Sequence, residues 1–175
     1  MKFTSEVYKF WGAIQKPDAR GREAAIKWQA LSDEARRSLA ELEGRLSKPA
    51  FRFFTKSSFH DGSVASIKVV DRRTERASAT FRRWRCPTNV EIVVHHPDTW
   101  TPWTLTYRKV RRLTLGTQAS DIEDAERGFF EWGYDRLSSE REGTIRHEIL
   151  FSSGAALELS FEQLTLTRGN RGRKR

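Results

Sequence analysis

The chain has 175 residues, of which 32 are Lys or Arg and 23 are Asp or Glu, for a formal charge of +9. At 37% hydrophobic and 31% charged, with a mean hydropathy of -0.68, it is too polar for a membrane protein; its 11 Phe, 6 Trp and 3 Tyr exclude a disordered polyelectrolyte, because those rings can build a packed core. A lone Cys86 closes no intrachain disulfide and makes no zinc site, no run approaches the ~20 apolar residues of a membrane span, and Met1 to Trp11 lacks the apolar stretch of a signal peptide. The expectation is one cytoplasmic domain that uses no metal and no cofactor.

Residues 1–50 read as a helical hairpin. Thr4 and Ser5 can cap a first helix whose Val7, Phe10, Trp11 and Ile14 share a face, and Pro17 stops it. Asp18 starts a second pattern in which Trp28, Leu31, Ala35, Leu39, Leu42 and Leu46 recur three or four apart, the apolar stripe of an amphipathic helix. Ser32, followed by Asp33 and Glu34, also resembles a cap, which leaves open two helices meeting there. Pro49 marks the change of period.

From Phe51 the period turns to two. Ile67 and Val69, then Val90, Ile92 and Val94, then Trp103, Leu105 and Tyr107 alternate as half-buried strands do. Ile145, His147, Ile149 and Phe151 share one strand face, and Leu157, Leu159 and Phe161 return after the turn Ser152–Gly154 as an antiparallel hairpin. The alternation slips by one between Tyr107 and Val110 and again between Phe161 and Leu164, which predicts a bulge or tight corner at each place. The fold class is therefore α+β, an N-terminal helical hairpin packed on an antiparallel sheet of six or seven strands over residues 51–167, with a basic, disordered tail at 168–175.

The charge divides by region. Residues 72–85 carry +5, residues 108–112 carry +4 and the tail carries +5, so the rest nets -5. Ala79 to Arg85 reads as a strand with Arg on both faces, a pattern suited to a sheet edge or to an exposed ribbon. Arg interleaved with aromatics can grip nucleic acid by phosphate pairing and stacking, or an acidic protein surface, where Arg, Trp and Tyr dominate the contact energy. Arg82, Arg83, Trp84 and Arg85, with Arg108, Lys109, Arg111 and Arg112, are the first candidates for partner contact. Trp100, Pro102 and Trp103 form a second aromatic cluster, read as packing under a loop, with an exposed binding corner as the alternative.

His60-Asp61 invites a metal reading, but that chemistry needs further His and Asp ligands on separate helices, and this pair opens a strand; His95 and His96, neighbours in one strand, point to opposite faces and do not easily share a metal. The plainer expectation is a turn at Asp61-Gly62 with His60 bonded to neighbouring backbone. His147, between Ile145 and Ile149, reads as a core histidine with its hydrogen bonds satisfied. No G-x-S-x-G elbow and no Gly-rich phosphate loop is present, Cys86 has no base partner in sequence, and Glu123-Asp124 sits in what reads as an acidic surface loop.

The opening MKFTSEVYKFW, the strand FHDGSVASIKV, VEIVVHH, LTYRKVRRLTL and the ending WGYDRLSSEREGTIRHEILFSSGAALELSFEQLTL resemble a loose group of small, largely uncharacterised bacterial proteins that includes immunity proteins of polymorphic toxin systems. His60, Asp61, His147, Phe151, Gly154 and Phe161 fall on that pattern, which covers residues 59–167. The resemblance implies a non-enzymatic protein that occludes a cognate toxin or another protein; because this chain is basic, the partner's surface should be acidic. The competing expectation is an RNA- or DNA-binding accessory protein using the basic patches and tail. A third is an enzyme built on His60, Asp61 and His147.

Overall fold

The computed structural model describes residues 2–14, 16, 18–71, 88–117 and 129–169. Among these residues three α-helices precede eight strands: α1 (Lys2–Ile14), α2 (Ala19–Ala40) and α3 (Lys48–Lys56), then β1 (Gly62–Asp71), β2 (Thr88–His95), β3 (Pro102–Val110), β4 (Arg112–Thr117), β5 (Glu131–Ser139), β6 (Ile145–Phe151), β7 (Ala155–Phe161) and β8 (Gln163–Arg168). No described helix is long and apolar enough to cross a membrane.

Thr4 and Ser5 lie inside α1 rather than capping it, and the buried Phe3 and Val7 define its inward face. The first turn of α1 has no acid of its own; the Phe3 N–H instead donates to Glu148 Oε1 of β6 at 3.1 Å, so a carboxylate of the sheet supplies both cap and countercharge. Asp18 caps α2, accepting the Gly21 N–H at 2.9 Å. Helix α2 runs unbroken through Ser32, because Leu31 and Trp28 pack with Phe3 and Val7 and hold that turn helical. It ends at Ala40, and Leu42 and Leu46 are buried from the turns that follow. Pro49 opens α3 instead of closing the helical region, since a first-turn residue needs no N–H partner. The helical part therefore extends to Lys56, and the structure has one more helix than the hairpin reading allowed.

All strand pairs are antiparallel, in the order β4-β7-β6-β5-β1-β2-β3-β8. Among the described residues the strand count is eight, not six or seven, because both predicted corners split a long strand and β5 adds one more. At the first, Thr88 stands opposite Val110 and Val90 opposite Tyr107, so β3 holds one extra residue; Lys109 takes it up at φ 55 and Arg111 interrupts the strand. At the second, Glu162 separates β7 from β8. The two bent segments pair along their length, β3 with β8 and β4 with β7, linked across the bend by Arg111 N–H to Ser160 O and Glu162 N–H to Arg108 O. The first and last strands of the order are thus arms of the same bent pair, and the sheet wraps into a barrel-like ring. Its seam between β1 and β5 is only two residue pairs long, Gly62 with Trp132 and Ser63 with Glu131. Gly62 permits that seam: a Cβ there would lie 2.7 Å from the Phe59 carbonyl oxygen and 2.9 Å from that of His95.

The inner face carries Val90, Ile92, Val94, Leu105, Tyr107, Trp132, Leu137, Ile145, Ile149, Leu157, Leu159 and Phe161, all buried. Leu42, Leu46 and α3 cover it, with Phe53 stacked on Phe59 at 4.4 Å. The outer face of β5–β7 is covered by α1 and α2 through Phe3, Val7, Trp28 and Leu31 on Leu150, Ala156 and Tyr134. Strand β5 is thus sandwiched between two cores.

Candidate functional site

Three strands bring one polar chain into the inner core. Tyr107 of β3, His147 of β6 and Asp135 of β5 are distant in sequence, yet Tyr107 Oη lies 2.8 Å from His147 Nδ1, and His147 Nε2 lies 2.8 Å from Asp135 Oδ2. The Trp132 indole N–H donates to the other carboxylate oxygen at 3.1 Å. Burial pushes the Tyr107 phenol well above its usual value near 10, and the Asp135 charge adds to the effect. His147 thus bridges the phenol and the carboxylate, one ring nitrogen to each. Phe54, Trp132 and Tyr107 surround the imidazole, and His147 and Tyr107 are fully buried.

The order of groups is that of an acid–base relay, but the phenol end is sealed. Only Asp135 reaches a surface hollow, of about 180 Å³, which Leu39, Phe54, Ser57, Ser58 and Leu137 also line. What the arrangement does chemically is satisfy every polar atom it buries. A pH dependence follows. Above about pH 10 the unfolded chain releases the tyrosine proton while the folded chain keeps it, so the folded state should lose up to about 1.4 kcal/mol per pH unit. Urea unfolding at about pH 9 and pH 11 should show this slope reduced in Tyr107→Phe; an unchanged slope refutes the assignment.

His60 and Asp61 stand elsewhere. Asp61 adopts φ 63 in the turn before β1, and its N–H donates to the Trp132 carbonyl. The His60 ring packs on Tyr134 at 4.7 Å, with Nδ1 3.0 Å from Asp61 Oδ2, rather than bonding to backbone. Burial raises the Tyr134 phenol, and the Asp61 charge adds to it. Tyr134 pairs with Leu150 on the outer face of β5, whereas Asp135 and Leu137 face inward, so His60-Asp61 and His147 address opposite sides of that strand. His95 stacks on Trp100, while His96 contacts Ser57 and Asp98. Among the described residues no three His, Cys, Asp or Glu side chains gather as a metal site. Cys86 lies outside the described residues. Gly154 takes φ 80 in the β6–β7 turn.

Of the two basic segments, Arg82, Arg83, Trp84 and Arg85 lie outside the described residues. Arg108, Lys109, Arg111 and Arg112 are exposed at the β3–β4 bend, but three of them are engaged. Lys109 and Arg111 both bond Glu162, at 2.7 and 2.5 Å, and Arg112 reaches Glu158 at 3.3 Å and Glu140 at 3.4 Å. The Glu162 carboxyl is held below its usual range by those hydrogen bonds from Lys109 and Arg111. Burial works against the Glu140 charge, but hydrogen bonds from Ser160, Arg146 and Thr144, with the Arg146 charge, outweigh it and lower its carboxyl.

Two features escaped the sequence reading. Leu113 and Leu115 stand opposite Leu159 and Leu157 on the inner face, where alternation implies core, yet they are 39% and 57% exposed. Trp100 was read as packing under a loop and is 64% exposed, at φ 50. The one signal that could have placed Trp100 in solvent is its position in the loop between two strands, after Pro97, Asp98 and Thr99.

The chain matches no protein-family model, no curated protein and no solved structure at a significant level.

Proposed function

We propose that this chain is a non-enzymatic protein-binding module of the immunity type, acting in the cytoplasm by stoichiometric occlusion of a toxin domain or another protein with an acidic surface. The observation that carries this reading is the pairing of exposed Leu113 and Leu115 with Arg111 and Arg112 along β4. Apolar side chains left on the surface of one strand and flanked by arginines match the make-up of a protein interface, where desolvated apolar contacts supply affinity and guanidinium groups supply direction. A phosphate row would find less here, because Glu162, Glu158 and Glu140 already engage three of the four cations. Arg82, Arg83, Trp84 and Arg85 belong to the same reading by sequence, since they precede Thr88, which stands opposite Val110 at the bend.

The test is affinity purification of the tagged full chain from its native host. A near-stoichiometric protein should co-purify, and the pair Leu113→Asp and Leu115→Asp should weaken its binding about 1,000-fold, as expected when two anchors worth ~2 kcal/mol each are removed. The variant's thermal midpoint should remain within about 3 °C of the parent, because exposed substitutions alter stability little. Recovery of heterogeneous nucleic acid alone, or a partner indifferent to the two substitutions, overturns the proposal.

A further inference from the structure

The hollow at Asp135 exists because the seam of the barrel stops short. Strand β5 pairs with β1 only at Trp132 and Glu131, and farther along β5 the space is closed by α2 and by the residues after α3 instead of by a strand. They leave about 180 Å³ open. The apolar lining is Ala35 and Leu39 of α2, Phe54 of α3 and Leu137 of β5; the polar lining is Arg36, Ser57, Ser58, Asp135 and Arg136. A concave surface of hydrocarbon with a few converging polar groups is the make-up of a small-ligand site. At about 30 Å³ for a water-sized volume, it holds about six non-hydrogen atoms.

The charges select the kind of ligand. The Asp135 side chain is only 14% exposed, and among the described residues no Lys or Arg forms an ion pair with it. One of its oxygens takes the Trp132 indole N–H at 3.1 Å and the other lies 2.8 Å from His147 Nε2, which uses two of the roughly four positions at which a carboxylate accepts. The two guanidinium groups at the hollow are already committed: Arg36 lies 3.0 Å from Asp33, and Arg136 bonds Glu34 at 2.8 Å and Glu148 at 2.9 Å. Two arginines thus stand among four carboxylates, in a chain whose formal charge is +9, and protonation of His147 would add a single cation. An anion would meet more carboxylate than cation here. A wholly apolar molecule would leave a half-used carboxylate with neither donor nor water.

We infer that the hollow receives a primary ammonium group on a short aliphatic chain, its N–H groups donating to Asp135 and its methylenes lying on Leu39, Phe54 and Leu137. An ammonium brings a positive charge and three donors, and its stem is the apolar body that the walls accept. Two sources carry this chemistry, a free alkylamine and the side chain of a lysine in another polypeptide. The inference goes beyond the protein-binding reading and is independent of it, since the hollow contains neither Leu113 nor Leu115 and neither Arg111 nor Arg112.

An NMR titration of the isotope-labelled full chain with n-pentylammonium, a molecule of the size the hollow holds, tests it. The Trp132 indole N–H donates to the same carboxylate, so its signal should shift and saturate with a dissociation constant of about 1 mM. Pentanol and pentanoate, of the same length without the positive charge, should bind at least about tenfold more weakly. Asp135→Asn should abolish the shift. Because that change also alters the His147 contact, Ala35→Leu supplies a second variant: it extends a side chain into the hollow from a helix that tolerates leucine, and should weaken binding at least about tenfold with the thermal midpoint within about 3 °C of the parent. Nα-acetyl-lysine methylamide separates the sources. Binding as tight as that of pentylammonium supports a lysine of another chain, and binding more than about tenfold weaker supports a free amine. A Trp132 signal that does not saturate, equal binding of pentanol or pentanoate, or an Ala35→Leu protein that binds as the parent does overturns the inference.

Discussion

Replacing Arg136 by Met should destabilise the fold by about 3–5 kcal/mol, the cost of taking from a buried carboxylate the guanidinium that bonds it. The Arg136 guanidinium donates to Glu148 at 2.9 Å and to Glu34 of α2 at 2.8 Å, and lies over the Phe3 ring at 5.2 Å. Glu148 is fully buried on β6 and stands directly opposite Glu158 of β7, itself 3% exposed. Two carboxylates on adjacent strands repel each other unless cations stand beside them. Arg136 serves Glu148, and Arg112 serves Glu158. Glu148 also accepts the Phe3 N–H in the first turn of α1, so its charge holds a helix to the sheet as well. Removing Arg136 therefore loosens α1, α2 and β6 together. In equilibrium urea unfolding the midpoint should fall sharply, and Arg136→Met combined with Glu148→Leu should recover much of the loss, because the buried carboxylate is then gone as well. A single-variant cost below about 1 kcal/mol refutes this account.

His147→Phe should cost about 2–4 kcal/mol although the ring is replaced by one of similar size, because the Tyr107 hydroxyl and an Asp135 oxygen lose their partner in the core. The sharper expectation concerns the pair. In the parent, Tyr107→Phe removes a satisfied hydrogen bond and should cost about 1 kcal/mol. In the His147→Phe background the same change removes an orphaned hydroxyl, so it should be neutral or stabilising. A double-mutant cycle by urea unfolding measures this reversal of sign. Additive costs would mean that the 2.8 Å contact between Tyr107 and His147 contributes nothing.

Much of the architecture was readable from local pattern. Alternation at Val90, Ile92 and Val94 and at Leu157, Leu159 and Phe161 marked strands that the structure places facing one core. The slips at Tyr107–Val110 and Phe161–Leu164 marked both corners. Strand β5 was not picked out, because Gly133 and the charges at Glu131, Asp135 and Arg136 break its alternation. Its bulge between Trp132 and Tyr134 moves the inward positions from 132 to 135 and 137. Pro49 was misassigned because proline ends one helix and begins another with the same residue, and only the preceding turn distinguishes the two.

Period and composition are properties of neighbouring residues, so the sequence alone determined helices before strands, antiparallel hairpins, two bends and three basic segments. Which charge meets which depends on register between strands far apart in the chain. Tertiary structure alone decided that Lys109, Arg111 and Arg112 find carboxylates on Glu162, Glu158 and Glu140, that Asp135 meets His147, and that Leu113 and Trp100 remain in solvent. Electrostatic pairing and exposure act through space, and a one-residue shift of a strand would reassign every one of them.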